Sequence, residues 1–161
     1  YYLPATTLTW NFAEDLQLRL GYSQTVARPQ FRELAFTPYI DPETDREYQG
    51  NPFLSDSEFQ NYDARLEYYF GRNQFITVGG FYKIIADPIE EVVYAVGENG
   101  FATRFTNAPE ATLYGAEFEY RTRFDMPFEV PFLNGADWLF AVNYTYTSSE
   151  VSGDGLIVDP S

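Results

Sequence analysis

Residues 61–70 read Asn-Tyr-Asp-Ala-Arg-Leu-Glu-Tyr-Tyr-Phe, and they alternate strictly: Tyr62, Ala64, Leu66, Tyr68 and Phe70 stand against Asn61, Asp63, Arg65, Glu67 and Tyr69. Successive side chains of a strand point to opposite sides of the pleat, so a period of two gives one greasy and one polar face. A helix would need its apolar residues three and four apart. The run ends in Gly71-Arg72-Asn73-Gln74, a turn signal, after which Ile76, Val78, Tyr82 and Ile84 oppose Thr77, Gly79, Phe81 and Lys83. Residues 61–84 are therefore read as an antiparallel hairpin. Gly79 and Gly80 are expected to mark a bend or bulge in its second arm.

Four more runs carry the same period on either side of this hairpin. Leu8, Trp10 and Phe12 alternate with Thr7, Thr9 and Asn11; after the turn at 13–15, Leu16, Leu18, Leu20 and Tyr22 alternate with Gln17, Arg19, Gly21 and Ser23. Downstream, Tyr114, Ala116, Phe118 and Tyr120 oppose Gly115, Glu117, Glu119 and Arg121. Trp138, Phe140, Val142, Tyr144 and Tyr146 oppose Leu139, Ala141, Asn143 and Thr145. The connections alternate too: short at 13–15, long at 25–60, short at 71–74, long at 86–110, intermediate around 125–136, with a final loop from about Ser148. One end of the sheet thus has tight turns and the other has large loops. Residues 92–107, with Gly97-Glu98-Asn99-Gly100 at the centre, read as a hairpin projecting beyond the main sheet.

Composition narrows the function. The 161 residues hold 10 basic and 24 acidic side chains, a net charge of −14, with no Cys and no His. Such a charge repels a phosphate backbone, and there is no basic cluster, which argues against nucleic-acid binding. Without Cys or His the chain has no thiolate or imidazole metal site and no His general base. No apolar stretch is long enough for a transmembrane helix, whereas a transmembrane strand needs only about 9–11 residues. The opening residues, Tyr1 to Trp10, have neither the charged start nor the apolar core of a signal peptide.

Two architectures accommodate six amphipathic antiparallel strands. In a soluble acidic β-sandwich, a binding module for carbohydrate or protein, Leu18, Leu66, Val78 and Val142 would share one dry core. In an up-and-down transmembrane β-barrel the same face meets lipid. The aromatics favour the barrel. Trp10, Phe12, Tyr68, Phe70, Tyr120, Phe124, Trp138 and Phe140 gather toward the short turns, and Tyr22, Tyr62, Tyr114, Tyr144 and Tyr146 toward the long loops. Two aromatic girdles flanking an aliphatic belt match the two membrane–water boundaries. On this reading Leu18, Leu20, Leu66, Val78, Phe118, Phe140 and Val142 face lipid. Arg19, Asp63, Arg65, Glu67, Lys83, Glu117, Glu119 and Arg121 face a solvated lumen, with Arg121 offsetting the two glutamates along its own strand.

Three stretches resemble one family. Residues 50–70, GNPFLSDSEFQNYDARLEYYF, residues 106–120, TNAPEATLYGAEFEY, and residues 23–34, SQTVARPQFREL, resemble segments of the β-barrel of TonB-dependent outer-membrane receptors. The resemblance implies part of a plugged barrel of about 22 strands in the outer membrane of a Gram-negative bacterium. The function it implies is import of a scarce solute (iron–siderophore, vitamin or carbohydrate) with TonB as energy-supplying partner. Six strands are too few to close, because the smallest such barrels have about eight. Residues 1–161 are therefore expected to be one consecutive segment of the barrel, with the plug, the TonB-contacting segment and the remaining strands outside it.

Sites are weighed on that basis. Tyr39, Tyr48, Phe53, Tyr94, Phe101 and Phe105 lie in the long loops and are the candidates for solute capture, against the alternative that they pack the loops together. Asp41, Glu43, Asp45 and Glu47 alternate as oxygen ligands could, but Arg46 stands where the calcium loop needs glycine, so no metal is assigned. Glu117 and Glu119 are paired carboxylates, but a barrel wall carries such charges routinely, and Ser23, Ser148 and Ser149 have no His to activate them. The chain is not expected to be an enzyme or to need a cofactor.

Overall fold

At the turn that closes the 61–84 hairpin, Asn73 takes a φ of 60°. Asn tolerates this left-handed conformation, so the chain reverses within two residues. The computed structural model describes residues 1–43, 46–96, 100–124 and 138–152. Its strands are β1 (Ala5–Ala13), β2 (Leu16–Ala27), β3 (Tyr39–Ile40), β4 (Glu47–Gln49), β5 (Ser57–Gly71), β6 (Gln74–Ala86), β7 (Ile89–Val96), β8 (Gly100–Asn107), β9 (Glu110–Phe124) and β10 (Trp138–Val151), with one helical turn, α1 (Phe31–Leu34).

Six long strands form one antiparallel sheet in the order β1-β2-β5-β6-β9-β10, each beside its neighbour in the meander. The six alternating runs are these six strands. The register aligns their faces: Leu18, Leu66, Val78, Phe118 and Tyr144 lie in one cross-strand row, and Arg19, Arg65, Gly79, Glu117 and Thr145 in the next. A slip of one residue would turn a whole strand over, so the matched alternation fixes this pairing. Several strands outrun their apolar stretches. β5 begins at Ser57, not Asn61, and β10 continues to Val151, past the expected break at Ser148.

Register shifts occur between Asn11 and Ala13 and between Tyr69 and Gly71, both next to tight turns. The expected bulge at Gly79–Gly80 is absent, and β6 stays in step with both neighbours through that point. A Cβ at either position would make only ordinary contacts of 3.6 Å or more, so neither a bulge nor a close neighbour demands glycine there. Gly79 lies between Arg65 and Glu117 on the polar face, and Gly80 between Ala64 and Ala116 on the apolar one. The intermediate connection holding Pro127 and Pro131, the Gly97–Asn99 tip and the segment from Gly153 onward lie outside the described residues.

The sandwich expectation fails on exposure. Leu66, Val78 and Val142 are 42%, 52% and 41% exposed, and Leu20, Phe118 and Phe140 are exposed with them. No dry core covers that face. At the centre of the sheet the burial is inverted: Glu67 and Thr77, each one residue from an exposed Leu66 or Val78, are 5% and 7% exposed. Glu67 and Thr77 lie opposite each other on β5 and β6, while Asp63 and Arg65 on the same face stay exposed.

The long connections build a second sheet in the order β3-β4-β8-β7. The hairpin expected at 92–107 is there as β7–β8. Joining it is β4, which runs parallel to β8 with Tyr48 opposite Thr103 and Gln49 opposite Arg104. Tyr48, Ala102, Phe105, Ala108 and Ala111 make up the buried apolar core among the described residues, and it belongs to this outer sheet and its junction with the wall.

Candidate functional site

The polar face of the wall is a network of opposite charges fitted around glycines. Arg19 Nε lies 3.6 Å from Glu67 Oε2, and the Tyr69 hydroxyl donates to the same oxygen at 2.7 Å. Arg65 Nη2 donates to Glu117 Oε2 at 3.2 Å. That pair joins β5 to β9 across the intervening β6, and it can do so because the residue between them is Gly79. In the adjacent row, the Asp63 carboxylate leans over Gly21, and the Phe81 ring lies where a side chain on Gly115 would be. Asp63, Arg65, Lys83 and Glu117 surround a hollow of about 390 Å³.

All eight residues expected on this face are on it, but their pairing differs from the expectation. Glu117 is offset across strands by Arg65, and Arg121 takes part in no ion pair among the described residues. Arg19 and Glu67 are diagonal neighbours on β2 and β5, whereas Arg65 and Glu117 reach each other over the glycine of β6.

The apolar face carries the seven residues expected there, bounded at both ends by rings. Toward the tight turns, Tyr68, Phe70, Tyr120 and Phe140 follow one another at centroid distances of 5.8, 6.2 and 6.1 Å. Trp10 and Phe12 make a similar pair on β1. Toward the long loops, Tyr22, Tyr62, Tyr82 and Tyr114 form a single row across four strands. Tyr82 completes that row, which strand-by-strand reading left incomplete.

Of the six loop aromatics, three pack the loops together. Tyr39 stacks on Tyr48 at 5.6 Å and Tyr48 on Phe105 at 6.0 Å, and burial against this stack raises the Tyr39 phenol above its ordinary range. Tyr48 and Phe105 are buried and offer no surface to a solute, a correction to their assignment. Phe53 and Phe101 are 89% and 75% exposed. Tyr94 donates its hydroxyl to Gln49 Oε1 at 3.0 Å, and its ring lies 5.5 Å from the Arg104 guanidinium. In the 41–47 loop, Asp41 Oδ1 accepts the backbone N–H of Glu43; Asp45 lies outside the described residues.

Two asparagines that sequence reasoning noted only within motifs fasten the outer sheet to the wall. Asn107 donates to the carbonyls of Ser55 at 3.1 Å and Asp87 at 2.7 Å, and accepts the Ser55 N–H at 2.8 Å. The Ser57 hydroxyl also donates to the Asp87 carbonyl. Asn51 donates to the Phe105 carbonyl at 3.2 Å and accepts the Phe53 N–H, while its own N–H donates to the carbonyl of Glu33 in α1. Gly50 is obligatory next to it, because a Cβ there would run into the Ala35 backbone.

This wall, apolar on one face and polar on the other, can be compared with known proteins. The family described as TonB dependent receptor-like, beta-barrel matches residues 1–160. The chain belongs to that family. Among solved structures, the siderophore receptor PirA from Pseudomonas aeruginosa matches 92% of this chain and 28% of its own length, with a TM-score of 0.65 and 15% identity. The ferric enterobactin receptor PfeA in complex with BCV-L6 matches 89% of this chain and 22% of its own, with a TM-score of 0.60 and 17% identity. No curated protein matches. Identities this low speak for the fold, and the chain spans less than a third of either receptor. The sheet is thus a partial transmembrane barrel of the TonB-dependent receptor type. That family sits in the outer membrane of Gram-negative bacteria, and its members are transporters that engage TonB and small solutes.

Proposed function

We propose that residues 1–161 are a consecutive segment of the wall and outer loops of an outer-membrane active-transport receptor. The parent protein binds a scarce solute (an iron–siderophore, a vitamin or a carbohydrate) and imports it with energy supplied through TonB. The plug, the TonB-contacting segment and the remaining strands belong to other parts of that protein. The observation that carries this reading is the inside-out wall: an exposed aliphatic belt between two aromatic borders, backed by a face of paired charges. Lipid is the solvent that suits the first face and a water-lined lumen the second. Leu18, Leu20, Leu66, Val78, Phe118, Phe140 and Val142 would contact lipid. Arg19, Asp63, Arg65, Glu67, Lys83, Glu117, Glu119 and Arg121 would face the lumen. Phe53, Tyr94 and Phe101 are the loop aromatics left to meet a solute.

Spin labels on single cysteines in the full-length receptor, reconstituted in phospholipid vesicles, test the orientation. Labels at Leu66 and Val78 should be relaxed by lipid-soluble oxygen, and labels at Arg65 and Glu117 by a water-soluble nickel chelate; the opposite pattern would overturn the assignment. Transport is tested by iron uptake from spent medium into cells with and without TonB. Uptake that the receptor confers equally in both would sink the energy-coupled reading.

A further inference from the structure

On the outer sheet, Arg104 of β8 stands opposite Val92 and beside Gln49, with Tyr94 diagonal to it on the same face. Its guanidinium carbon lies over the Tyr94 ring, 5.5 Å from the centroid, and Tyr94 is itself held by the 3.0 Å hydrogen bond to Gln49. Gln49 in turn donates to the Phe36 carbonyl. The ion pairs among the described residues are Arg19–Glu67, Arg28–Asp56 and Arg65–Glu117, so Arg104 is in none of them. Glu47 and Glu90 share its face by register, yet neither comes within ion-pair distance of it. Arg104 borders a hollow of about 370 Å³, whose wall also includes Phe36, Gln49, Asn51 and Phe53. Phe36 and Phe53 are 68% and 89% exposed.

We infer that this hollow is a recognition site for an aromatic carboxylate, with Arg104 as the residue that reads its charge. The inference rests on the receptor reading above and narrows the solute it would capture. The contact with Tyr94 neutralises no charge, and among the described residues no carboxylate pairs with the guanidinium, so its N–H fork is open to take a ligand carboxylate through two parallel hydrogen bonds. The two exposed phenyl rings give a planar ring an apolar surface to lie on. A neutral sugar would make no use of the fixed charge, and a cation would be repelled by it. In a chain of net charge −14, this arginine is a positive charge that no carboxylate among the described residues pairs with.

The test uses the purified full-length receptor in detergent and three probes with the same ring and different charge: benzoate, benzyl alcohol and benzylammonium. Their dissociation constants are read by ligand-observed NMR. Benzoate should bind about tenfold more tightly than benzyl alcohol, with benzylammonium weakest. Arg104→Gln should remove the benzoate preference, Arg104→Lys should retain part of it, and Phe53→Ala should weaken benzoate and benzyl alcohol alike. Heat-modifiable gel mobility shows that each variant still forms its barrel. If Arg104→Gln does not assemble, the ranking in the unaltered protein and in Arg104→Lys decides. Benzoate binding no better than benzyl alcohol, or a preference that survives Arg104→Gln, would overturn the inference. The transport reading fails separately, on uptake that does not depend on TonB.

Discussion

Asn107 holds three segments with one carboxamide, because a short side chain with two donors and an acceptor can satisfy groups that strand pairing leaves over. Asn107→Ala should cost about 1–3 kcal/mol locally. In the full-length receptor it should speed amide exchange across 89–107 while exchange in β5 and β9 stays slow; unchanged exchange would show that the fastening is dispensable. Gly115 illustrates a harder constraint. A Cβ there meets both the Phe81 ring and the Tyr146 carbonyl, so Gly115→Ala should reduce the folded, heat-modifiable fraction, and adding Phe81→Ala should not restore it. Tyr39 supplies a pH dependence. Its folded phenol titrates above the unfolded value of about 10, so its stabilising contribution is full below that value and is lost as pH rises through the folded one. Protease protection of the outer sheet should therefore fall above about pH 10, and Tyr39→Phe should flatten that fall. In the sequence, Asn51 and Asn107 were visible inside recognisable stretches. Their roles were hidden because the partners of Asn107 lie 52 and 20 residues away, and linear spacing carries no trace of that.

Elements whose chemistry alternates were legible, and those without alternation were not. Six wall strands announced themselves because each turns one face to an apolar environment and the other to a polar one over many residues. Tyr39–Ile40 and Glu47–Gln49 are two- and three-residue strands, too short to show a period, and β4 pairs in parallel with a strand some 50 residues on. The misread glycines have a related cause: a glycine in a strand can mark a bulge, and only the register of the flanking strands shows that none is there. Across Gly79, the Arg65–Glu117 pair is about half exposed, so charge reversal at Arg65 should cost at most about 1 kcal/mol. Arg65→Glu should lower the urea midpoint of the refolded receptor slightly, and Arg65→Glu with Glu117→Arg should recover it. No recovery in the double variant would mean that the two charges act independently. Gly79→Leu should abolish the coupling by separating the partners.

For the molecule as a whole, the solvent on each side of the wall decides which substitutions matter. A charge on the lipid side near mid-depth costs about 2–4 kcal/mol, so Leu66→Arg or Val78→Arg should markedly lower stability in vesicles. Thr145→Arg, in the same cross-strand row as Arg65 and Glu117, should be close to neutral. Equal effects at the two kinds of position, measured by urea titration of the full-length receptor, would contradict the membrane placement. The closeness of Ala64, Gly80 and Ala116 in one row then acquires a different meaning. Ala64 and Gly80, with Leu20 and the tyrosines Tyr62, Tyr82 and Tyr114, line a trough of about 520 Å³ across the strands. Hydrocarbon tails of the surrounding bilayer would have to bend to fill it. On the lipid-facing reading, acyl chains packing into this trough would meet a surface of uneven depth, which ties the fit of the wall to the bilayer around it.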